Sequence, residues 1–159
     1  MSEVLVNFEV EEIQNKIKKA ANWFYWIAAL SIINSILNFD TPSNIGFTAA
    51  LGISQIVDGF IMDLYGSYHY YATIINVLIS LVIAVIGYNA RKANKTAFII
   101  GLNVYALDGI LFFYYNIWIN FAFHILVLYF IYQGIPAINE LKKLDLDSSL
   151  KMQNFKSDN

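Results

Sequence analysis

AFIIGLNVYALDGILFFYYNIWINFAFHILVLYFIYQGIPA, residues 97–137, decides the fold: two long apolar runs that meet at Tyr115-Asn116. Asp108 and His124 stand eight residues either side of Asn116. In an antiparallel helical hairpin turning there, a rise of about 1.5 Å per residue sets both roughly 12 Å below the turn, at one depth. An ionisable pair inside two apolar helices is costly and demands a reason.

The composition around this stretch points to a membrane protein. Of 159 residues, 58% are hydrophobic, 16% aromatic and only 14% charged, outside the range of ordinary soluble domains. Charge is concentrated in residues 1–19, 91–95 and 139–159, a distribution of spans and loops. The chain has no cysteine, which excludes disulfides, thiolate metal ligands and cysteine nucleophiles. A net charge of -2 offers no basic surface for a phosphate backbone, so nucleic acid is not an expected partner. Glu3, Glu9, Glu11 and Glu12 precede Lys16, unlike the basic start of a secretory signal, and the first span is expected to be retained.

In chain order, Val6, Val10, Ile13 and Ile17 form a stripe with Glu9, Glu12 and Lys16 off it, giving an amphipathic N-terminal segment over residues 1–19. It either lies on the bilayer surface or packs on the bundle. The transmembrane bundle is expected over residues 20–138. Its first run, 22–39, is broken by Asp40-Thr41-Pro42-Ser43-Asn44, a tight turn. The second, 45–65, carries Gln55 and Asp58 and ends at Tyr65-Gly66-Ser67-Tyr68. The third, 71–90, contains Asn76 and leads to the basic loop of Arg91, Lys92 and Lys95. Residues 139–159 read as a charged cytoplasmic tail, disordered from about Asp145.

A shift of fifty residues aligns LGISQIVDGFI (51–61) with GLNVYALDGIL (101–111), a short internal repeat. Asp58 and Asn76 flank Ser67 by nine residues each, as Asp108 and His124 flank Asn116. Two successive hairpins would then each present an Asp and a second polar group. Five spans follow if every run crosses. The positive-inside rule prefers an even number, with Lys16, Lys18 and Lys19 on the side of Arg91, Lys95 and Lys142, and with 45–65 re-entrant. Five spans are favoured because 45–65 is long enough and a re-entrant backbone needs burial inside protein.

Polar residues share helical faces: Ser31, Asn34 and Asn38; Ser54, Gln55 and Asp58; Thr73, Asn76, Ser80 and Gly87; Asn120 and His124. Most of these read as hydrogen-bonding contacts between helices. The ionisable ones cost more than such contacts need, so Asp108, His124, Asp58 and Asn76, with Gln55 and Tyr105 a turn away, form a candidate site for a proton, cation or small ligand. The competing reading is a satisfied structural network. A divalent metal has acceptable ligands here but no spacing motif. Gly52-Ile53-Ser54 with a distant His124 is a weak match to an intramembrane Ser-His dyad and lacks an identifiable oxyanion donor. No dinucleotide or P-loop fingerprint is present, and no cofactor is expected.

IAALSIINS (27–35), LGISQIVDG (51–59), YALDG (105–109) and FHILVLYFIYQG (123–134) together resemble a group of small, uncharacterised bacterial multi-pass membrane proteins. The resemblance covers residues 22–137, with the YALD and FH elements most distinctive. It implies the bacterial inner membrane and a shared pattern including Asp58, Asp108 and His124, but no activity.

The expectation is therefore an all-α polytopic bundle of five apolar helices, alternatively four spans and a re-entrant segment. Two functions remain open. One is a small transporter or conduit, requiring a homo-oligomer at this size; the other is a non-catalytic structural or assembly subunit whose polar faces recognise other membrane subunits. An enzyme is the less favoured class, and the lipid bilayer is the one sure partner.

Overall fold

A computed structural model of the chain describes residues 3–37, 50–65 and 69–157, and every regular element among them is an α-helix. In order these are α1 (Glu3–Leu37), α2 (Gly52–Tyr65), α3 (His69–Arg91), α4 (Lys95–Tyr114), α5 (Trp118–Tyr132) and α6 (Gly134–Ser157). Among the described residues four helical stretches are long and apolar enough to cross a membrane: Val6–Leu37, Tyr70–Arg91, Lys95–Tyr114 and Trp118–Asp147. These define a multi-pass helical membrane bundle.

The connections follow local chemistry. Asn116 takes φ 58°, and the N–H groups of Asn116 and Ile117 donate to Phe113 and Phe112 carbonyls at 3.1 and 2.9 Å. That is a Schellman stop, with asparagine tolerating the left-handed conformation that the motif needs. The expected hairpin turn at Tyr115-Asn116 is thus present. At the basic turn Ala93 also has φ 58°, and Asn94 caps α4 by accepting from the Ala97 N–H at 3.2 Å. Pro136 explains the break between α5 and α6, because it cannot donate to Tyr132 and its ring clashes with that carbonyl.

α1 packs most extensively on α3 and α6. Phe24 is the pivot: it meets Phe98 of α4 with ring centroids 6.0 Å apart, and α3 crosses it at Gly87. A Cβ on Gly101 would collide with the Phe24 ring, so glycine there sets the spacing of α1 and α4. Trp23 stacks on Phe130 of α5 at 5.1 Å. Many outward side chains are apolar and exposed, among them Leu78, Val82, Val85, Leu107 and Ile119, as lipid-facing surfaces require.

The basic segments gather at one end. Gln14, Lys18, Arg91, Lys92 and Leu141 line one cleft there, and the Lys95 ammonium donates to Asn139 at 3.0 Å. Ile13 and Ile17, the C-terminal half of the N-terminal stripe, are buried in the same cluster as Ile138, with Leu141 and Leu144 packed against it. Gln14, Ile17 and Lys18 stand level with the basic turn, so residues 3–13 of α1 reach roughly 16 Å past it, at about 1.5 Å per residue, alongside α6.

Several expectations change. Among the described residues four stretches, the number in the alternative reading, rather than five are long and apolar enough to cross: α2 has 14 residues, about 21 Å, short of a hydrocarbon core of about 30 Å. The expected limits at 19/20 and 138/139 fall inside α1 and α6, because neither helix meets Gly or Pro at those points and composition alone does not end a helix. The tail, expected to lose order from Asp145, is helical to Ser157. The repeat fails structurally, since it matches Gly52, the first residue of α2, with Leu102 in the interior of α4. The turn proposed at 40–44 and residues 66–68 lie outside the described residues.

Two measurements test this arrangement. Lys16→Cys and Lys95→Cys, each the single thiol in a cysteine-free chain, should label from the same side of sealed vesicles with an impermeant maleimide; labelling from opposite sides would contradict it. Gly101→Leu should destabilise the detergent-solubilised protein by about 1–3 kcal/mol, as overpacking does, while Ile100→Ala on the exposed face of the same turn should change it far less.

Candidate functional site

The site is built on the buried carboxylate of Asp108, which belongs to α4 but serves α2. The first N–H groups of a helix have no partner within it, and inside hydrocarbon they cannot turn to water. Here the Gly52 N–H donates to one carboxylate oxygen of Asp108 and the Ile53 N–H to the other, both at 2.8 Å. The preceding Leu51 N–H donates to the Ser31 hydroxyl of α1 at 2.9 Å, which in turn donates to the Ile27 carbonyl at 2.8 Å. Asp108 is therefore an N-cap supplied from another helix. Its charge also faces the positive end of the α2 dipole.

His124 of α5 completes the group. Its Nε2 lies 3.0 Å from the Asp108 oxygen that accepts from Gly52. Its Nδ1 lies 2.9 Å from the Asn120 carbonyl, and because a carbonyl only accepts, Nδ1 must carry a proton. The line from Nε2 to the carboxylate must also hold one proton, on nitrogen or on oxygen. Either placement leaves the pair neutral overall, which lowers the cost of burying it. Asp108 is 5% exposed and His124 is fully buried. Tyr105 stacks on the imidazole with centroids 4.3 Å apart and planes 14° from parallel, and Phe112 leans on it at 4.8 Å.

The local sequence builds this junction. Gly52 is required because a Cβ there would lie 2.7 Å from the Phe112 ring; the bare backbone can therefore come up to Asp108. Ser54 turns its hydroxyl back to the Leu51 carbonyl at 2.6 Å, reinforcing the first turn of α2. Asn76 of α3 donates to the Ser54 carbonyl at 3.4 Å, and Ser80 donates to the Asn76 carbonyl at 2.8 Å. Four helices, α1, α3, α4 and α5, thus hold one end of the fifth.

Of the expected site residues, Asp108, His124 and Tyr105 are in direct contact, and Asn76 reaches them through α2. The side chains of Gln55 and Asp58 lie outside the described residues. Among the described residues no group of three or more His, Cys, Asp or Glu stands close enough to hold a metal ion. Sequence reasoning missed the partners that matter most: the Gly52 and Ile53 amides, the Asn120 carbonyl and Ser31 as an acceptor. Backbone groups carry no residue signature, and Ser31 read as an ordinary interhelical contact. The equal depth of Asp108 and His124, inferred from their spacing about Asn116, matches their contact.

No protein-family model, no curated protein and no solved structure matches this chain. The chemistry of the site rests on its geometry.

A double substitution separates this arrangement from an ordinary buried ion pair. Replacing both members of such a pair by apolar residues is often neutral or stabilising. Asp108→Leu with His124→Phe should instead remain destabilised by about 1–3 kcal/mol per amide left unpaired, because Gly52 and Ile53 keep their N–H groups and lose their acceptor. Thermal unfolding in micelles, with hydrogen exchange at residues 51–54 accelerated, is the readout; a double variant as stable as the parent would exclude the trans cap.

Proposed function

We propose that the protein is a non-catalytic, four-span subunit of the bacterial inner membrane, with a re-entrant α2 fastened by Asp108 and His124 and both ends of the chain on the basic, cytoplasmic side. The bacterial assignment draws on the resemblance of the YALD and FH elements, and the sidedness on the positive-inside rule. The short α2 supports re-entry: its first turn bonds to Ser31 and Asp108, each about six residues below the far ends of α1 and α4, and its last residue leads back to α3.

One observation carries the functional reading. A site that binds and releases a ligand needs donors or acceptors that are not already used, whereas both oxygens of Asp108 and both nitrogens of His124 are engaged within the chain. They are also shielded by Tyr105 and Phe112. The pair therefore acts as a fastening, and the recognition work of the protein falls to its outer helical faces and to the α1–α6 extension.

A second reading, a proton or cation conduit, is favoured by a different observation. Asn34 Oδ1 and Ser35 Oγ, on the inward face of α1 one turn beyond Ser31, are buried and lack a hydrogen-bond partner among the described residues. Buried polar atoms of this kind are usually met by water or a bound species, and a wet path would run along them.

Flux decides between the two. Proteoliposomes of the intact protein should pass protons, sodium and potassium no faster than protein-free vesicles, and Asp108→Asn and His124→Ala should lower thermal stability and recovery of the folded protein. A parental flux abolished by Asn34→Leu with the fold retained would replace the fastening reading with the conduit.

A further inference from the structure

The basic end of the bundle contains a cleft of about 340 Å³ bounded by α1, the α3–α4 turn and α6. Three cations stand on its walls: Lys18 of α1, and Arg91 and Lys92 at the end of α3. Gln14 adds a neutral donor, and Leu141 supplies apolar surface, with Ile17 buried in the wall. Among the described residues none of the three cations has an ion-pair partner, whereas nearby Lys16 is paired with Glu12 at 2.9 Å. The next acid on the Lys18 face of α1, Glu11, lies two turns away, roughly 10 Å along the axis.

Aromatic rings hold two of these cations in place. The Arg91 guanidinium lies 5.9 Å from the centre of the Tyr25 ring, and the Lys92 ammonium 4.1 Å from that of Tyr88. Such contacts restrict long side chains and leave their N–H groups able to donate outward. The cleft also sits where α3 ends and α4 begins, next to the Asn94-capped positive end of α4. That is the level at which apolar spans give way to polar chain, and in a bilayer it is the level of the lipid phosphates.

We infer that this cleft binds the phosphate of an anionic phospholipid, with Arg91 as the planar fork and Lys18 and Lys92 as flanking charges. A guanidinium matches two phosphate oxygens at once, and two ammonium groups neutralise what remains. The apolar surface of Leu141 fits the glycerol and upper acyl region rather than a fully hydrated ion. A soluble phosphate would present the same oxygens without that apolar part.

Native mass spectrometry of the full chain, released from detergent with defined lipids, tests the inference. The parent should retain phosphatidylglycerol and not phosphatidylcholine. Arg91→Gln with Lys92→Gln should weaken retention at least tenfold, and Lys18→Gln alone should weaken it measurably. Lys142→Gln with Lys143→Gln, which removes the same charge from α6 outside the cleft, should leave it unchanged. Equal losses in the two double variants would reduce the effect to general surface charge and overturn the site. So would retention of phosphatidylcholine, or displacement of phosphatidylglycerol by millimolar inorganic phosphate, since the ligand would then not be an anionic lipid. All variants alter exposed side chains, and helicity by circular dichroism verifies that each is folded.

Discussion

A helix that begins inside a membrane bundle must find acceptors for its first amide groups, and this constraint organises the structure. α2 begins at the depth of Ser31 and Asp108, where water is excluded, with the Leu51, Gly52 and Ile53 amides all in need of partners. An aspartate costs about 2.5–3.5 kcal/mol to place at such a depth on insertion scales. Hydrogen bonds to a charged group contribute about 1.5–3 kcal/mol each. Two amides on one carboxylate therefore offset the insertion cost, and an otherwise unfavourable aspartate becomes the residue that allows α2 to start there.

The crossing number follows from that start. Because α2 begins partway down the bundle, it needs only 14 residues to return to the level at which α3 begins. At that length it falls short of a hydrocarbon core, and among the described residues the stretches long and apolar enough to cross number four. The basic residues of α1, the α3–α4 turn and α6 are found together, the grouping that the positive-inside rule asks of an even number of crossings, as in the four-span reading proposed above. The 35-residue α1 packs its upper half within the bundle, passes the basic turn at residues 14–18 and extends beyond it beside α6.

What could be read from the sequence was whatever helix periodicity controls. The Tyr115-Asn116 turn and the equal depth of Asp108 and His124 follow from residue spacing, and the contact at 3.0 Å agrees with them. The amphipathic stripe of Val6, Val10, Ile13 and Ile17 was visible for the same reason, though its burial partners on α6 were not. The extent of α2 was hidden, because residues 45–65 are apolar throughout and nothing in them marks where another helix will supply a cap. The continuity of the helices at the two charged ends has a simpler reason: between Glu3 and Leu37 and between Ala137 and Ser157 there is no glycine or proline to stop a helix, and charge alone marks no helix end. Of the candidate site, the charged side chains were legible and the backbone groups that use them were not.

The choice of residues around the cap is nearly forced once the cap exists. Ser31 can accept the single amide of Leu51 while donating to Ile27, but two adjacent amides pointing the same way are better matched by two equivalent oxygens, which only a carboxylate provides. A carboxylate in hydrocarbon then needs a proton or a cation. Lysine or arginine would bring a long stem into space occupied by Tyr105 and Phe112, whereas a flat imidazole stacks against the first and fits beside the second. The imidazole brings a second nitrogen that must itself be satisfied, and the Asn120 carbonyl one turn earlier in α5 accepts from it. Gly52 keeps the amides close enough for the whole chain of bonds to form. Each member is specified by the one before it, and the helix that the pair holds gives each of them a structural reason to be there.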